Sequence, residues 1–334
     1  MTDETQFKQQ WELYAETVNK VKEEIRRVMV GQERVIDELL VCLLTGGHAL
    51  FEGVPGLGKT LLVKTVAHCF DVPFSRIQFT PDLMPADIVG TNMITTDDEG
   101  RNVFRFQAGP IFGSFVLADE INRATPKTQS ALLEAMQEQT VTVAGETRPL
   151  PDPFFVLATQ NPLESEGTYP LPEAQLDRFL LKIVVDFPTE AELRKIVTST
   201  TGGIGSKPSP VADGAVLKQI QGMVRDVLVP DEVVHYAVRL LMMTHPDKES
   251  APESVKQYVR AGAGPRGVQA LVQAAKARAF LERRFNVAYE DIEAVLYPCL
   301  RHRLLLNFEA EATGIRTEDV LDAVSEAAQG EQVS

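Results

Sequence analysis

Cysteine is scarce: Cys42, Cys69 and Cys299 are the only three in 334 residues, and no two form a CxxC pair. That spacing excludes a disulfide framework and a cysteine zinc site, and predicts small apolar side chains in a reducing compartment. Long apolar runs are also missing, and none approaches the roughly 18 residues of a membrane span. Met1-Thr2-Asp3-Glu4-Thr5-Gln6 has no basic stretch leading into an apolar one, so no secretory signal is visible and the cytoplasm is the expected location. Basic charge is the minority, with 33 Lys and Arg against 47 Asp and Glu and a formal net charge of -14. A chain of that sign repels phosphate backbones at long range, which disfavours general nucleic-acid binding. What remains is ordinary globular material, 44% hydrophobic and 24% charged. At about 100–200 residues per domain, the length predicts two domains.

Trp11 to Val28 carries apolar residues at helical spacing, and a second helical run from Glu33 to Leu44 follows a break at Gly31. Gly46-Gly47 ends it. The pattern then alternates helices with short, continuously apolar runs: Ala49–Phe51, Ile77–Phe79, Phe115–Ala118, Phe154–Ala158 and Leu180–Val185. Runs of that kind predict strands covered on both faces, hence an α/β core with a parallel sheet flanked by helices. Two segments break the alternation, Asn92–Phe106 with its polar turn Asp97-Asp98-Glu99-Gly100, and Thr140–Val143 followed by Ala144-Gly145-Glu146. Both are predicted β-hairpins inserted into the core. After Phe187-Pro188 the strand signal stops. Gly202 to Pro208 is expected to be a loop, and the rest helical: Val233–Met243, Val268–Phe280, Ile292–Leu306 and a Thr317-capped run from Glu318 to Ala327. The expected domains are therefore residues 1–187 and 188–334, the second all-helical.

Gly53-Val54-Pro55-Gly56-Leu57-Gly58-Lys59-Thr60 fits GxxxxGK[ST] and lies between the apolar run Ala49-Leu50-Phe51 and a helical pattern beginning at Leu61. Its glycines let backbone N–H groups turn toward phosphate oxygens at a helix N-terminus. Lys59 offers a point charge to the β- and γ-phosphates of ATP, and the Thr60 hydroxyl offers a ligand to Mg2+. Phe115-Val116-Leu117-Ala118 ends in Asp119 and Glu120, at the strand edge where α/β sheets place ligands. Asp119 is the expected metal ligand and Glu120 the base for the attacking water. Alone, such an acidic pair is a common solvated turn; beside a P loop it becomes a catalytic candidate. Asn161 ends a third strand run and could orient the water, although an asparagine before a proline is often only a turn residue. Arg178 and Arg266 receive no role from composition and spacing, because an isolated arginine is most often a surface or interdomain ion pair.

These motifs together resemble the AAA+ ATPases and, within them, the MoxR family. The resemblance is carried by Glu52 to Thr60, Gln107-Ala108-Gly109-Pro110, Ala118 to Ala124, Lys127-Thr128-Gln129, Leu132 to Met136, Ala158 to Pro162, Leu171 to Phe179, and Gly262 to Gly267. It implies an AAA+ core bearing a helix-2 insert and a second hairpin, a C-terminal helical lid, and a hexameric ring with ATP between subunits. Asn161 then matches sensor 1, Arg266 sensor 2, and Arg178 an arginine finger reaching the neighbour's site. Arg123 is a second candidate for contact in trans. Val30-Gly31-Gln32 matches the segment beside the adenine, and Leu61 closes the phosphate-binding set.

The same resemblance implies a chaperone-like remodeller acting with a von Willebrand factor A-domain partner on a protein client such as a metalloenzyme. Related AAA+ proteins with both hairpins include DNA motors, so a nucleic-acid motor is the competing reading. Asp97, Asp98, Glu99 and Glu146 at the hairpin turns oppose it, because a phosphate-gripping loop presents Lys or Arg. A monomeric metabolic kinase is a third, weaker reading that lacks a small-substrate site. The basic cluster Arg278, Arg283, Arg284, Arg301, His302 and Arg303 could be a docking face for an acidic partner or a nucleic-acid patch, but with acids nearby such a cluster is more often a solvated helix face, and it receives no function.

Overall fold

The computed structural model describes residues 3–98, 100–161, 167–201 and 207–330. Met1-Thr2, Glu99 at the first hairpin turn, Pro162 and the Gly202–Ser206 part of the expected loop lie outside the described residues.

Helix α1 spans Asp3–Val28 and α2 Glu33–Leu44, followed by strand β1 at Ala49–Glu52 and helix α3 at Lys59–Cys69. Gly46, at a φ of 72°, makes the turn between α2 and β1 that a side chain would strain. Strand β2 is Phe74–Gln78, helix α4 Pro85–Val89, and β3 (Gly90–Thr96) pairs with β4 (Asn102–Ala108). Then come β5 at Phe115–Asp119, α5 at Pro126–Glu138, the β6–β7 pair at Thr140–Val143 and Glu146–Pro149, and β8 at Phe155–Gln160. A short α6 at Glu173–Leu176 leads into β9 at Leu181–Val184.

The five expected strand runs are the five strands of one parallel sheet, ordered β2-β5-β8-β1-β9. Alternate residues feed two cores. Phe51, Phe115, Leu117, Phe155 and Leu157 face α1, α2, α3 and the lid, while Leu50, Val116, Ala118, Val156 and Ala158 face α5. Strand β2 differs from its sequence reading. It runs from Phe74 to Gln78, lies at the sheet edge, and of its residues only Ile77 is buried. Both hairpins are antiparallel insertions as expected, with Ile94 opposite Phe104 in the first. Its base closes where Gly109 meets Gly90: a Cβ on Gly109 would come within 2.2 Å of the Ile88 carbonyl oxygen. That contact is a physical reason for the Gln107-Ala108-Gly109-Pro110 motif.

The remaining chain forms α7 (Glu190–Thr201), α8 (Gly214–Arg225), α9 (Asp231–Met243), α10 (Glu253–Tyr258), α11 (Pro265–Leu281), α12 (Tyr289–Leu300), α13 (Phe308–Thr313) and α14 (Thr317–Gly330). Two details correct the sequence reading. The Ile292–Leu306 run is not one helix: α12 stops at Leu300, and Leu305–Leu306 forms β11, paired with β10 at Val259–Ala261. The lid is helical, with that small sheet inside it. Thr317 is the first residue of α14, not its cap, and Asp319 instead accepts from the Arg316 N–H at the helix entry.

Helix α1 packs on both α3 and α11, so it joins the sheet-bearing core to the lid. Trp11 is its anchor, buried against Phe280 at 4.8 Å and Phe285 at 4.6 Å between ring centroids. Truncating a buried Trp costs about 3–5 kcal/mol. Trp11→Ala is therefore expected to lower stability by that amount in urea unfolding, and an effect below about 1 kcal/mol would mean that α1 does not hold the two parts together. No helix among the described residues is long and apolar enough to cross a membrane. All three cysteines are buried free thiols.

Candidate active site

Parallel strands put their C-terminal ends on one edge, so the P loop after β1 meets the ends of β5 and β8. One cleft there is lined by Gly53, Pro55, Gly56, Gly58, Lys59, Thr60 and Leu61 together with Asp119, Glu120 and Asn161. Val54 and Leu57, also in the expected phosphate set, turn into the core. Gly58 takes the left-handed conformation, φ 80°, immediately before α3, which aims the first N–H groups of that helix at the cleft. Lys59 donates to the carbonyl oxygens of Gly53 at 2.6 Å and Val54 at 3.1 Å. Burial lowers its pKa from the ordinary lysine value, while Asp119 and Glu120 pull in the other direction. Gln32 stands behind the loop, its side-chain amide donating to the Leu57 carbonyl at 3.2 Å.

The two carboxylates are held by different partners. Asp119 accepts from the Thr159 hydroxyl at 2.6 Å, and the same hydroxyl accepts from the Glu120 N–H at 2.8 Å. Glu120 sits at φ 57°, left-handed for a residue with a side chain, a strain of the sort that concentrates at functional sites. Its carboxylate accepts from Gln78 at 2.7 Å and from Arg123 at 3.0 Å. Within one chain, then, Arg123 is the partner of Glu120. Arg76 reaches Asp119 from β2. Sequence reading missed Thr159, Gln78 and Arg76. The alternation of Phe74, Arg76 and Gln78 along a strand could have indicated the last two, had β2 been started at Phe74.

Arg178 and Arg266 line a different cavity, with Gly47, His48 and Met136. Arg178 donates to the Leu133 carbonyl at 2.7 Å, and Arg266 lies 3.6 Å from the Asp177 carboxylate. This cavity opens at the beginning of β1, whereas the P loop follows its end. At about 3.3 Å per residue the two edges are separated by roughly 15 Å of strand, so neither arginine reaches the P loop of its own chain. His48 tethers this edge, accepting from the Val156 N–H at 3.0 Å and contacting the Met136 carbonyl at 3.2 Å; burial pulls its pKa down to about 4, so it stays neutral.

The basic cluster is consumed internally. Arg284 and Arg278 pair with the buried Asp291, Arg283 with Glu12 and Glu16, and Arg301 with Glu318. Arg303 was expected on a solvated face and is buried instead. It bonds Asp177 at 2.8 Å and the carbonyls of Phe179 and Leu180 at 2.8 and 3.1 Å, so the lid clamps the segment that carries Arg178.

A five-stranded parallel sheet with a P loop after its fourth strand in spatial order, acidic residues ending the second, and a helical lid defines an AAA+ ATPase. Residues 48–181 match the model of the ATPase family associated with various cellular activities, and residues 252–324 that of the AAA lid domain. The chain is 43% identical to Chaperone MoxR1 of Mycobacterium tuberculosis over 92% of its own length and 81% of the relative's. It is 31% identical to Protein MoxR of Methylorubrum extorquens, covering 86% and 87% of the two chains. A crystal structure from Cytophaga hutchinsonii superposes with a TM-score of 0.92 at 39% identity, covering 98% of each chain. The chain belongs to the MoxR family of AAA+ ATPases.

Proposed function

We propose that the chain works as a hexameric, ATP-driven remodeller of protein clients in the cytoplasm. Arg178 and Arg266 lie across the sheet from their own P loop, which supports a ring in which both act on the nucleotide of a neighbouring subunit. Lys59 and the P-loop N–H groups bind the phosphates. Thr60 and Asp119 bring hard oxygen donors to the same cleft, a set that fits Mg2+ arriving with phosphate ligands. Among the described residues no cluster of three or more His, Cys, Asp or Glu could hold a metal by itself. Thr60 and Asp119 would hold Mg2+ there, and the metal would supply neutralisation of the phosphate charge. Glu120 takes the proton of the attacking water, Asn161 orients it, and Gln32 lies beside the adenine.

The client side of the reading rests on the first hairpin. Ile94 and Phe104 stand opposite each other on it, 65% and 76% exposed, and large apolar side chains so exposed suit polypeptide better than phosphate. Its turn residue Asp97 pairs with Arg101, and Glu146 of the second hairpin with Arg148, so the basic residue beside each turn is already paired with an acid. The name of the relative Chaperone MoxR1 agrees with this reading. A von Willebrand factor A-domain partner and a metalloenzyme client are carried by the resemblance alone.

The test is ATPase stimulation by an unfolded polypeptide, casein, beside a DNA duplex and a single strand. Casein is expected to stimulate and DNA not, and Phe104→Asp to reduce the stimulation several-fold. Stimulation by DNA with none by casein would make the chain a nucleic-acid motor.

A further inference from the structure

Asp119 is doubly engaged before any metal is considered. Its Oδ1 accepts from the Thr159 hydroxyl. On Oδ2, two nitrogens of one guanidinium converge: Arg76 Nε at 3.1 Å and a terminal nitrogen at 2.6 Å. Lys59 is the other cation of the cleft, but its ammonium is committed to P-loop carbonyls. Arg76 is thus the counter-ion of Asp119. It comes from the edge strand β2, one pleat back from Gln78, which lies level with Asp119 across the β2–β5 pairing. It also lines the same cleft as Thr60.

We propose that Arg76 competes with Mg2+ for Asp119 and so sets how much metal the site needs. The inference rests on the reading of Asp119 as a metal ligand. A carboxylate oxygen that already holds two N–H donors has little lone-pair capacity left for a metal or a metal-bound water. A guanidinium cannot be deprotonated out of the way, so a second cation at that oxygen meets like-charge repulsion. Either the arginine moves or the metal binds less tightly. The geometry provides for movement: the same terminal nitrogen also donates to Gln78 Oε1 at 2.7 Å, so the displaced guanidinium keeps a partner. It is also half exposed, with 48% of its side chain accessible, and water can receive it. Arg76 therefore acts as a positioning residue. While it holds Asp119, only the fraction of molecules with a released carboxylate binds metal at full strength, and the apparent affinity falls by that fraction.

The test is an equilibrium measurement that needs no turnover. A fluorescent non-hydrolysable ATP analogue is titrated onto the full chain across a range of Mg2+ concentrations. For Arg76→Gln, half-maximal binding is expected at about fivefold lower Mg2+ than for the unaltered protein, a modest shift suited to a half-exposed ion pair. Arg76→Lys, a cation without the fork, is expected between the two. At saturating Mg2+ the analogue should bind all three alike. An unchanged or higher Mg2+ requirement in Arg76→Gln overturns the competition. So does weaker binding at saturating Mg2+, which would make Arg76 a phosphate ligand. Asp119→Asn is measured alongside. It is expected to raise the Mg2+ requirement, and if it leaves that requirement unaltered, the metal-ligand reading itself fails, whatever Arg76 does.

Discussion

Arg178→Ala is expected to lower ATP turnover by about 10³-fold or more, the range of a lost arginine finger, while ATP affinity stays within about twofold. The reason is positional. Arg178 precedes β9 on the edge of the sheet opposite the P loop, and its guanidinium is held at 2.7 Å by the Leu133 carbonyl near the end of α5. Removing it leaves the phosphate cradle of the same chain untouched, so binding survives. If it acts on the neighbour's nucleotide, the defect should be complemented in mixtures. Subunits carrying Arg178→Ala keep a working P loop, and subunits carrying Lys59→Ala keep a working finger. Mixed together they are expected to recover part of the activity that neither has alone. Weakened ATP binding to the same degree as turnover, or no recovery at any mixing ratio, would return Arg178 to a structural role within its own chain.

The segment that carries Arg178 is also tied to the lid. Arg303 bonds Asp177 and the carbonyls of Phe179 and Leu180, and Arg266 lies against the same Asp177. A movement of the lid is therefore felt at residues 177–180, on both sides of Arg178. Sequence reasoning could not have found this clamp. Arg301-His302-Arg303 has the composition of a surface patch, and only the fold buries it against a loop more than a hundred residues away. In His302, burial drives the pKa well below the ordinary histidine value, as expected for a side chain folded into the interior rather than solvated.

What the sequence made legible is what local pattern encodes. The three inner strands β5, β8 and β1 appear as continuous apolar runs because both faces of the sheet are covered, by α5 on one side and by α1 to α3 with the lid on the other. The P loop, Asp119, Glu120 and Asn161 meet because parallel strands end together, so each motif's place at a strand end predicts the cleft. Less was legible where exposure or long range decides. Strand β2 is an edge strand with three of its five residues polar, which hid its beginning and with it Arg76 and Gln78. Leu305–Leu306 lies in a run that reads as helix; its pairing with Val259–Ala261 takes it into a strand instead. Thr159 sits in a strand where any small polar residue would look neutral. Its part comes from reaching both Asp119 and the Glu120 backbone, a relation between two strands that no single stretch of sequence contains.

Glu120→Gln is expected to reduce turnover by about 10²–10⁴-fold, the usual contribution of a general base, and to leave ATP bound. The substitution is nearly isosteric. The Glu120 N–H still bonds Thr159, which keeps the Thr159 contact to Asp119 in place, and the new amide oxygen can still accept from Arg123. Only the group able to receive a proton from water is lost. A subunit arrested in this way should stay engaged with whatever it acts on. Purified with ATP from an extract of its own cells, beside Lys59→Ala, which should not load nucleotide, it separates the readings directly. A von Willebrand factor A-domain protein or a metalloenzyme enriched only on the trap would support the remodeller and identify the client. Enriched DNA with no protein above the Lys59→Ala level would transfer the same ATPase to nucleic acid. Turnover near the unaltered rate would remove Glu120 from the role of base altogether, leaving its strained backbone and its four polar contacts, through Thr159, Gln78, Arg123 and the backbone turn to Arg123, to be explained by structure alone.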